Sequence, residues 1–204
     1  MAVDDVGLAN RALTRCGALR IMDLNDDTKS GRAIQATFEG VRDSCLSIAN
    51  WRFAMERVEL AAVTAQDGYT YAYRIPATWV RYVSIRDRYI GAPSLGPRYI
   101  QDPQEEFVIE TDRTLLTNYA PPLKAIGVKR IEDSSLYDPL FNDYFTLSLA
   151  VEIWEDVSRK NAGKLSVIID ERNRALSIAR THNAIQEAPE EVEDTSWLLA
   201  RVGP

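Results

Sequence analysis

Histidine occurs once in this chain, as His182, and cysteine twice, as Cys16 and Cys45. A lone histidine near the end of a helical stretch reads as a surface or capping residue rather than a catalyst. Two cysteines make neither a disulfide framework nor a zinc site. Both fall on apolar stripes, so they read as buried thiols. No apolar run approaches the roughly 20 residues of a membrane span. The opening Met-Ala-Val-Asp-Asp has neither the basic nor the apolar region of a secretory leader. The expectation is a chain made and kept in a reducing, aqueous compartment, with no membrane partner. H-E-x-x-H, Walker and G-x-G-x-x-G motifs are missing. No serine or cysteine sits in a context that marks it as activated. The paired acids Asp26-Asp27, Glu105-Glu106 and Glu190-Glu191 read as solvated loop charge, not as a tuned acid–base couple. The sequence therefore predicts no catalytic residue, no cofactor and no metal site. Basic charge is not in excess either: the net charge of −6 argues against a protein that grips nucleic acid by neutralising phosphates.

What is present is apolar content for a real core, 46% of residues. The length of 204 residues suits one domain with an insertion, or two small ones. The negative charge is uneven. Five acids and one base between Glu187 and Pro204 account for four of the six net charges. Such a run reads as a solvated tail.

Two helical segments precede a change of period. Val6, Ala9, Leu13 and Cys16 step by three and four over residues 3–16, and Gly17 follows as a stop. The polar loop after it is anchored by Ile21 and Leu24, and Asp26, Asp27 or Thr28 can cap the next helix. That helix, about 28–50, carries Ile34, Phe38, Val41, Cys45 and Ile48 as a narrow seam. Its outer face is Arg32, Gln35, Glu39, Arg42 and Asp43. It closes on Trp51 and Phe53, read as a core plug where the helical part meets the next part.

From Glu56 the period becomes two. Tyr69, Tyr71, Tyr73 and Ile75 alternate with Thr70, Ala72 and Arg74 until Pro76. Without a basic groove around them, these tyrosines read as sheet core rather than a base-stacking platform. Trp79–Ile85 is a second strand. A turn-rich loop, Asp87–Gln104, is followed by a hairpin around Thr111-Asp112-Arg113 and a last strand, Leu123–Ile131. Acidic and basic residues nearly balance over 56–133.

The stretch Ile131–Trp154 organises the rest. Asp138 can cap a helix whose first turn accommodates Pro139. Leu140, Tyr144, Leu147, Val151 and Trp154 form one stripe and Phe141, Phe145, Leu149 and Ile153 a second, so this helix is packed on more than one side. An Asn161-Ala-Gly163 turn then leads to an antiparallel helix of about 164–186, with Leu165, Ile168, Arg172, Leu176 and Ala179 on one side. The expected fold is α+β. An antiparallel four-helix bundle (1–55 plus 134–186) carries an inserted antiparallel β unit (56–133) and an extended C-terminal tail (187–204). In the tail, Trp197, Leu198, Leu199 and Val202 end a polar leash. An apolar plug of that kind docks either on its own body or on another subunit.

Several of these segments together resemble a known family. The loop IMDLNDDTKSG lies between two helices, and the second helix ends in Trp51-Arg-Phe53. The strand Tyr73–Pro76 precedes a Trp79-Val-Arg81 strand, and the hairpin FVIETDRTLLTNY follows. SLYDPLF (Ser135–Phe141) opens the last helical pair. In this order they are similar to tail tubular protein A, the family that forms the adaptor ring between portal and tail of short-tailed bacteriophages. The tail after Glu187 lies outside the resemblance.

The resemblance implies a structural role in the virion neck, with synthesis in the host cytoplasm. A homo-oligomeric ring, twelvefold by the resemblance, would sit below the portal protein, extend the DNA channel and carry the tail nozzle protein. Double-stranded DNA would pass through the lumen during ejection without specific binding, which a mildly acidic conduit favours. On this reading Trp197, Leu198, Leu199 and Val202 are portal-docking candidates. Tyr89, Ile90, Tyr99 and Ile100 are nozzle-facing loop candidates, and Trp51 and Phe53 mark the junction between bundle and β unit. The alternatives are a helical protein–protein interaction module unrelated to phage, which would stay monomeric or dimeric, and a small metal-dependent enzyme, which would show chelator-sensitive activity.

Overall fold

The computed structural model describes residues 4–65, 68–85, 107–110, 112–158 and 162–186. These residues form four α-helices and a six-stranded antiparallel sheet. The helices are α1 (Asp5–Cys16), α2 (Lys29–Ser47), α3 (Pro139–Ser158) and α4 (Ala162–Ile185). The chain divides into two compact units, one from Met1–Met55 and Val128–Glu187, the other built on Glu56–Gly127.

Local chemistry explains the helix ends. The Asp4 carboxylate accepts from the Gly7 N–H at 2.9 Å and caps α1. Gly17, at φ 71°, ends it: the Gly17 N–H donates to the Thr14 carbonyl at 3.1 Å, and the Ala18 N–H to the Leu13 carbonyl at 2.9 Å. The Thr28 hydroxyl accepts from the Gly31 N–H at 3.0 Å at the start of α2. Asp138 does the same for the Leu140 N–H of α3 at 2.9 Å, and Pro139 occupies the first turn.

The helices do not form the expected four-helix bundle. A bundle shares one core among four amphipathic helices, each with two flanking neighbours. Here α3 packs against α1, α2 and α4, while α1 and α2 scarcely touch each other. Ten of its twenty residues are buried, on more than one face, so α3 is the axis of the unit. By contrast α4, with 24 residues, buries only Ile168 and Ala179 completely among the described side chains.

An aromatic cluster joins α3 to the end of α2. Trp51 meets Phe141 edge-on at 5.1 Å, and Phe53 meets Phe141 at 5.0 Å and Tyr137 at 5.7 Å. Phe38 of α2 stands edge-on to Phe145 at 5.2 Å. Such edge-to-face pairs contribute about 0.5–1.5 kcal/mol each beyond their buried area. The α2 seam also turns relative to expectation. Ile48 is 41% exposed, whereas Arg42, assigned to the outer face, is buried at 7%. The cause is electrostatic. Asp43 accepts from Arg42 Nε at 3.3 Å and from Arg130 Nη2 at 2.6 Å, and this network holds the arginine against the core.

The β portion is larger than a small insert. Strands β1 (Met55–Val63), β2 (Tyr71–Arg74), β3 (Trp79–Ile85), β4 (Phe107–Ile109), β5 (Thr114–Thr117) and β6 (Leu123–Lys129) lie in the order β3-β6-β1-β2-β5-β4. Tyr73 pairs with Leu115 and Ala62, and Phe107 with Thr117. The sheet has its own core, in which Leu60, Tyr73, Ile75, Trp79, Ile85, Leu115, Leu123 and Ala125 are all buried. Tyr73, fully buried, donates from its hydroxyl to the Tyr119 carbonyl at 2.7 Å, so the alternating tyrosine at its centre is core. Trp79 lies over Gly127, where a Cβ would stand 2.0 Å from the ring, and its indole N–H donates to Glu56 at 2.7 Å. A six-stranded sheet beside helices that do not make a four-helix bundle corrects the expected architecture.

Candidate interaction surfaces

The titratable groups with shifted equilibria lie in the packed core, in a turn and in an ion pair. Burial pushes the Cys16 thiol up to about 11, and its Sγ donates to the Ala150 carbonyl at 3.3 Å. Burial also raises Cys45. Both thiols are free and buried. A thiol held protonated is a poor nucleophile. Burial raises Tyr137 and Tyr144 as well, and the Tyr137 hydroxyl donates to the Ile131 carbonyl at 2.8 Å. The hydrogen bond from the Thr114 hydroxyl is the main cause that lowers Asp112, which shapes the β4–β5 turn where Arg113 sits at φ 64°. Asp43, through its hydrogen bonds, holds Arg130 more firmly protonated.

His182 is half exposed, with Nε2 3.8 Å from the Asp138 carboxylate at the start of α3. Among the described residues, no group of three histidine, cysteine or acidic side chains could hold a metal ion. Among the same residues no helix is long and apolar enough to cross a membrane.

Of the residues singled out in the sequence, Trp51 and Phe53 lie in the aromatic cluster of the helical unit. Trp51 is buried, and its indole N–H donates to the Cys45 carbonyl at 2.8 Å, closing the end of α2. Trp197, Leu198, Leu199 and Val202 lie outside the described residues, as do Tyr89, Ile90, Tyr99 and Ile100. So do the turn at Asn161, the rest of the 87–104 loop and the acidic run from Glu187.

Two surface features of the helical unit were not anticipated. The first is a face of α4 on which Val167 (53%), Ile178 (51%) and Ile185 (75%) are exposed, interleaved with Glu171, Arg174 and His182 and reaching into the groove at Ile178. Their spacing puts them on one stripe of the helix. The second is a groove of about 750 Å³ between α1, α3 and α4, lined by Arg11, Arg15, Arg20 and Arg174 along with Asp143 and Glu171. Arg11 pairs with Asp143, and Arg15 Nη1 lies 3.2 Å from Glu171. Arg20 and Arg174 make no ion pair or hydrogen bond among the described residues. The groove thus carries net positive charge on a protein of net charge −6. Arg11 and Arg15, one helical turn apart on α1, were a visible signal of a basic face. That Arg20 and Arg174 join them depends on how α1, α3 and α4 pack.

No protein-family model and no curated protein matches the chain.

Proposed function

We propose that this protein is a structural head-to-tail adaptor of a bacteriophage. In this reading its copies form a closed ring beneath the portal, extend the DNA channel and carry the tail nozzle in the virion neck. The reading starts from the ordered resemblance to tail tubular protein A. The observation that supports it in the structure is the exposure of three apolar residues of α4, Val167, Ile178 and Ile185, on one mixed face of the helix. Packed on α3 along one side, a helix of 24 residues that buries so few of them leaves a face that a further partner can cover. A ring supplies one, since head-to-tail contacts place a second copy against such a face. The helical unit with the apolar tail residues meets the portal, and the β unit with the 87–104 loop faces the nozzle.

The test is electron microscopy of the protein mixed with its cognate portal protein. A ring of density below the portal is expected. Portal particles that stay bare, or carry a single copy, refute the proposal. Deleting residues 195–204 is expected to weaken portal binding while circular dichroism stays unchanged. Undiminished binding would remove the docking role of the tail.

A further inference from the structure

Apart from Ile178, which the adaptor reading also uses, the arginine groove has chemistry that reading leaves aside. Asp143 and Glu171 are each committed to an arginine across the groove, Arg11 and Arg15. Arg20 and Arg174 keep their charge unpaired among the described residues. At the base of the groove Thr146 is 4% exposed, and its buried hydroxyl has no hydrogen-bond partner among the described residues. Leu147, Ala175 and Ile178 add apolar lining. The site therefore suits a ligand that brings carboxylates and a few apolar groups together. A duplex phosphate backbone fits less well, because it meets the same Asp143 and Glu171 and has nothing to set against the apolar lining.

The chain itself contains such a ligand. Immediately after α4 come Glu187, Glu190, Glu191, Glu193 and Asp194, interleaved with Ala188, Pro189 and Val192. Most of the chain's net charge is concentrated there, opposite in sign to the groove. At about 3.3 Å per residue, residues 187–194 can span about 26 Å. In the same chain, Arg174 lies eleven residues before the end of α4 at Ile185, about 17 Å at 1.5 Å per residue. Only the far end of the acidic run could fold back that distance, whereas a neighbouring copy can present all five acids at once. We infer that the acidic segment 187–194 of one copy docks in the α1–α3–α4 groove of the next, with Arg20 and Arg174 as its charge partners. The contact would run in one direction around an assembly, as a head-to-tail interface must.

Two full-length proteins test this. The first carries R20E and R174E with its native tail. The second keeps the native groove and has its tail neutralised by E187Q, E190Q, E191Q, E193Q and D194N. The first, fluorescently labelled, is titrated with the second and followed by anisotropy at low salt. The two are expected to bind each other, although neither binds itself. Raising the salt from 50 to 200 mM should weaken that binding at least tenfold. Moving R20E and R174E onto the second protein should abolish it, and R20K with R174K there should preserve it. Both arginines are exposed, so the fold is expected to survive. R20Q with R174Q replaces the reversals if circular dichroism shows otherwise. No complex between the two proteins, or a complex indifferent to the arginines, overturns the inference. So does arginine-dependent binding of a short DNA duplex without protein–protein binding. No portal is present in this experiment, so its failure and that of the adaptor reading are separable.

Discussion

Replacing Gly127 by alanine adds one methyl group at a position of the sheet core where Trp79 leaves no room for it. The new Cβ would stand 2.0 Å from Trp79 Cε3 and 2.2 Å from Cδ2. Carbon atoms pack at about 3.5–4.0 Å, so ring and strand must separate by about 1.5 Å. The ring cannot swing aside freely. Trp79 is 1% exposed, and its indole N–H is tied to Glu56 at 2.7 Å. Overpacking of this kind costs about 1–3 kcal/mol, and the short distance puts G127A near the upper end, about 3 kcal/mol. Alanine restores some backbone stiffness in a strand, but at about 0.5–1 kcal/mol this does not reverse the sign. Urea unfolding monitored by far-ultraviolet circular dichroism measures the loss. W79L provides the control, because it removes the ring atoms that the methyl would strike. In that background G127A is expected to cost less than about 0.5 kcal/mol, giving a coupling of about 2 kcal/mol in a double-mutant cycle. An equal cost in both backgrounds, or a G127A protein as stable as the wild type, would refute this account of the glycine.

Gly17 makes a contrasting case. A Cβ there meets only Lys164 Nζ at 3.9 Å, but φ is +71°. G17A is expected to lose about 1 kcal/mol through backbone strain alone, and G17N to lose less, as asparagine tolerates that conformation better. Thermal melts of the two variants would separate strain from crowding. D43N removes the charge that neutralises buried Arg42 and binds Arg130, and a loss of about 2–3 kcal/mol is expected by urea unfolding. Loss within about 0.5 kcal/mol of wild type would show the network to be ornamental at the surface. Stability should also fall in alkali. The folded Cys16 thiol is raised from 9.0 to about 11. Its contribution is fully present below pH 9. Between pH 9 and 11 the unfolded chain gives up the proton while the folded chain keeps it, so stability decreases as pH rises, by up to about 2 kcal/mol. C16A should flatten that slope relative to wild type. An unchanged slope in denaturant midpoints measured across this range would exclude Cys16 as its source.

Local signals in the sequence carried far because their physics is local. Gly17 and the Asp138-Pro139 pair act within one helical turn, so they marked helix ends, and of the three caps offered for α2, Asp26, Asp27 and Thr28, the structure uses Thr28. Alternation of Tyr71, Tyr73 and Ile75 marked a strand because a pleat repeats every two residues. The double stripe of Phe141, Phe145, Leu149 and Tyr144, Leu147, Trp154 marked α3 as surrounded, since an exposed face could not carry those residues.

The sequence could not tell what surrounds α3. Four periodic helices are compatible with a shared bundle core or with an axis and three satellites, and the periods are the same in both. The choice rests on which faces meet, which is settled by packing between residues more than a hundred positions apart, such as Cys16 with Ala150 and Phe38 with Phe145. The same holds for Arg42, whose helical position says surface and whose burial follows from Asp43 binding Arg130, 87 residues further on. It holds for Gly127, which reads as one more weak strand residue until Trp79 lies across it. The sequence by itself determined the order and approximate extent of the helices and strands, because those choices rest on neighbouring backbone groups. Tertiary structure alone decided that α3 is an axis rather than one member of a bundle, and that Arg20 meets Arg174, because these rest on shape and charge brought together across the chain.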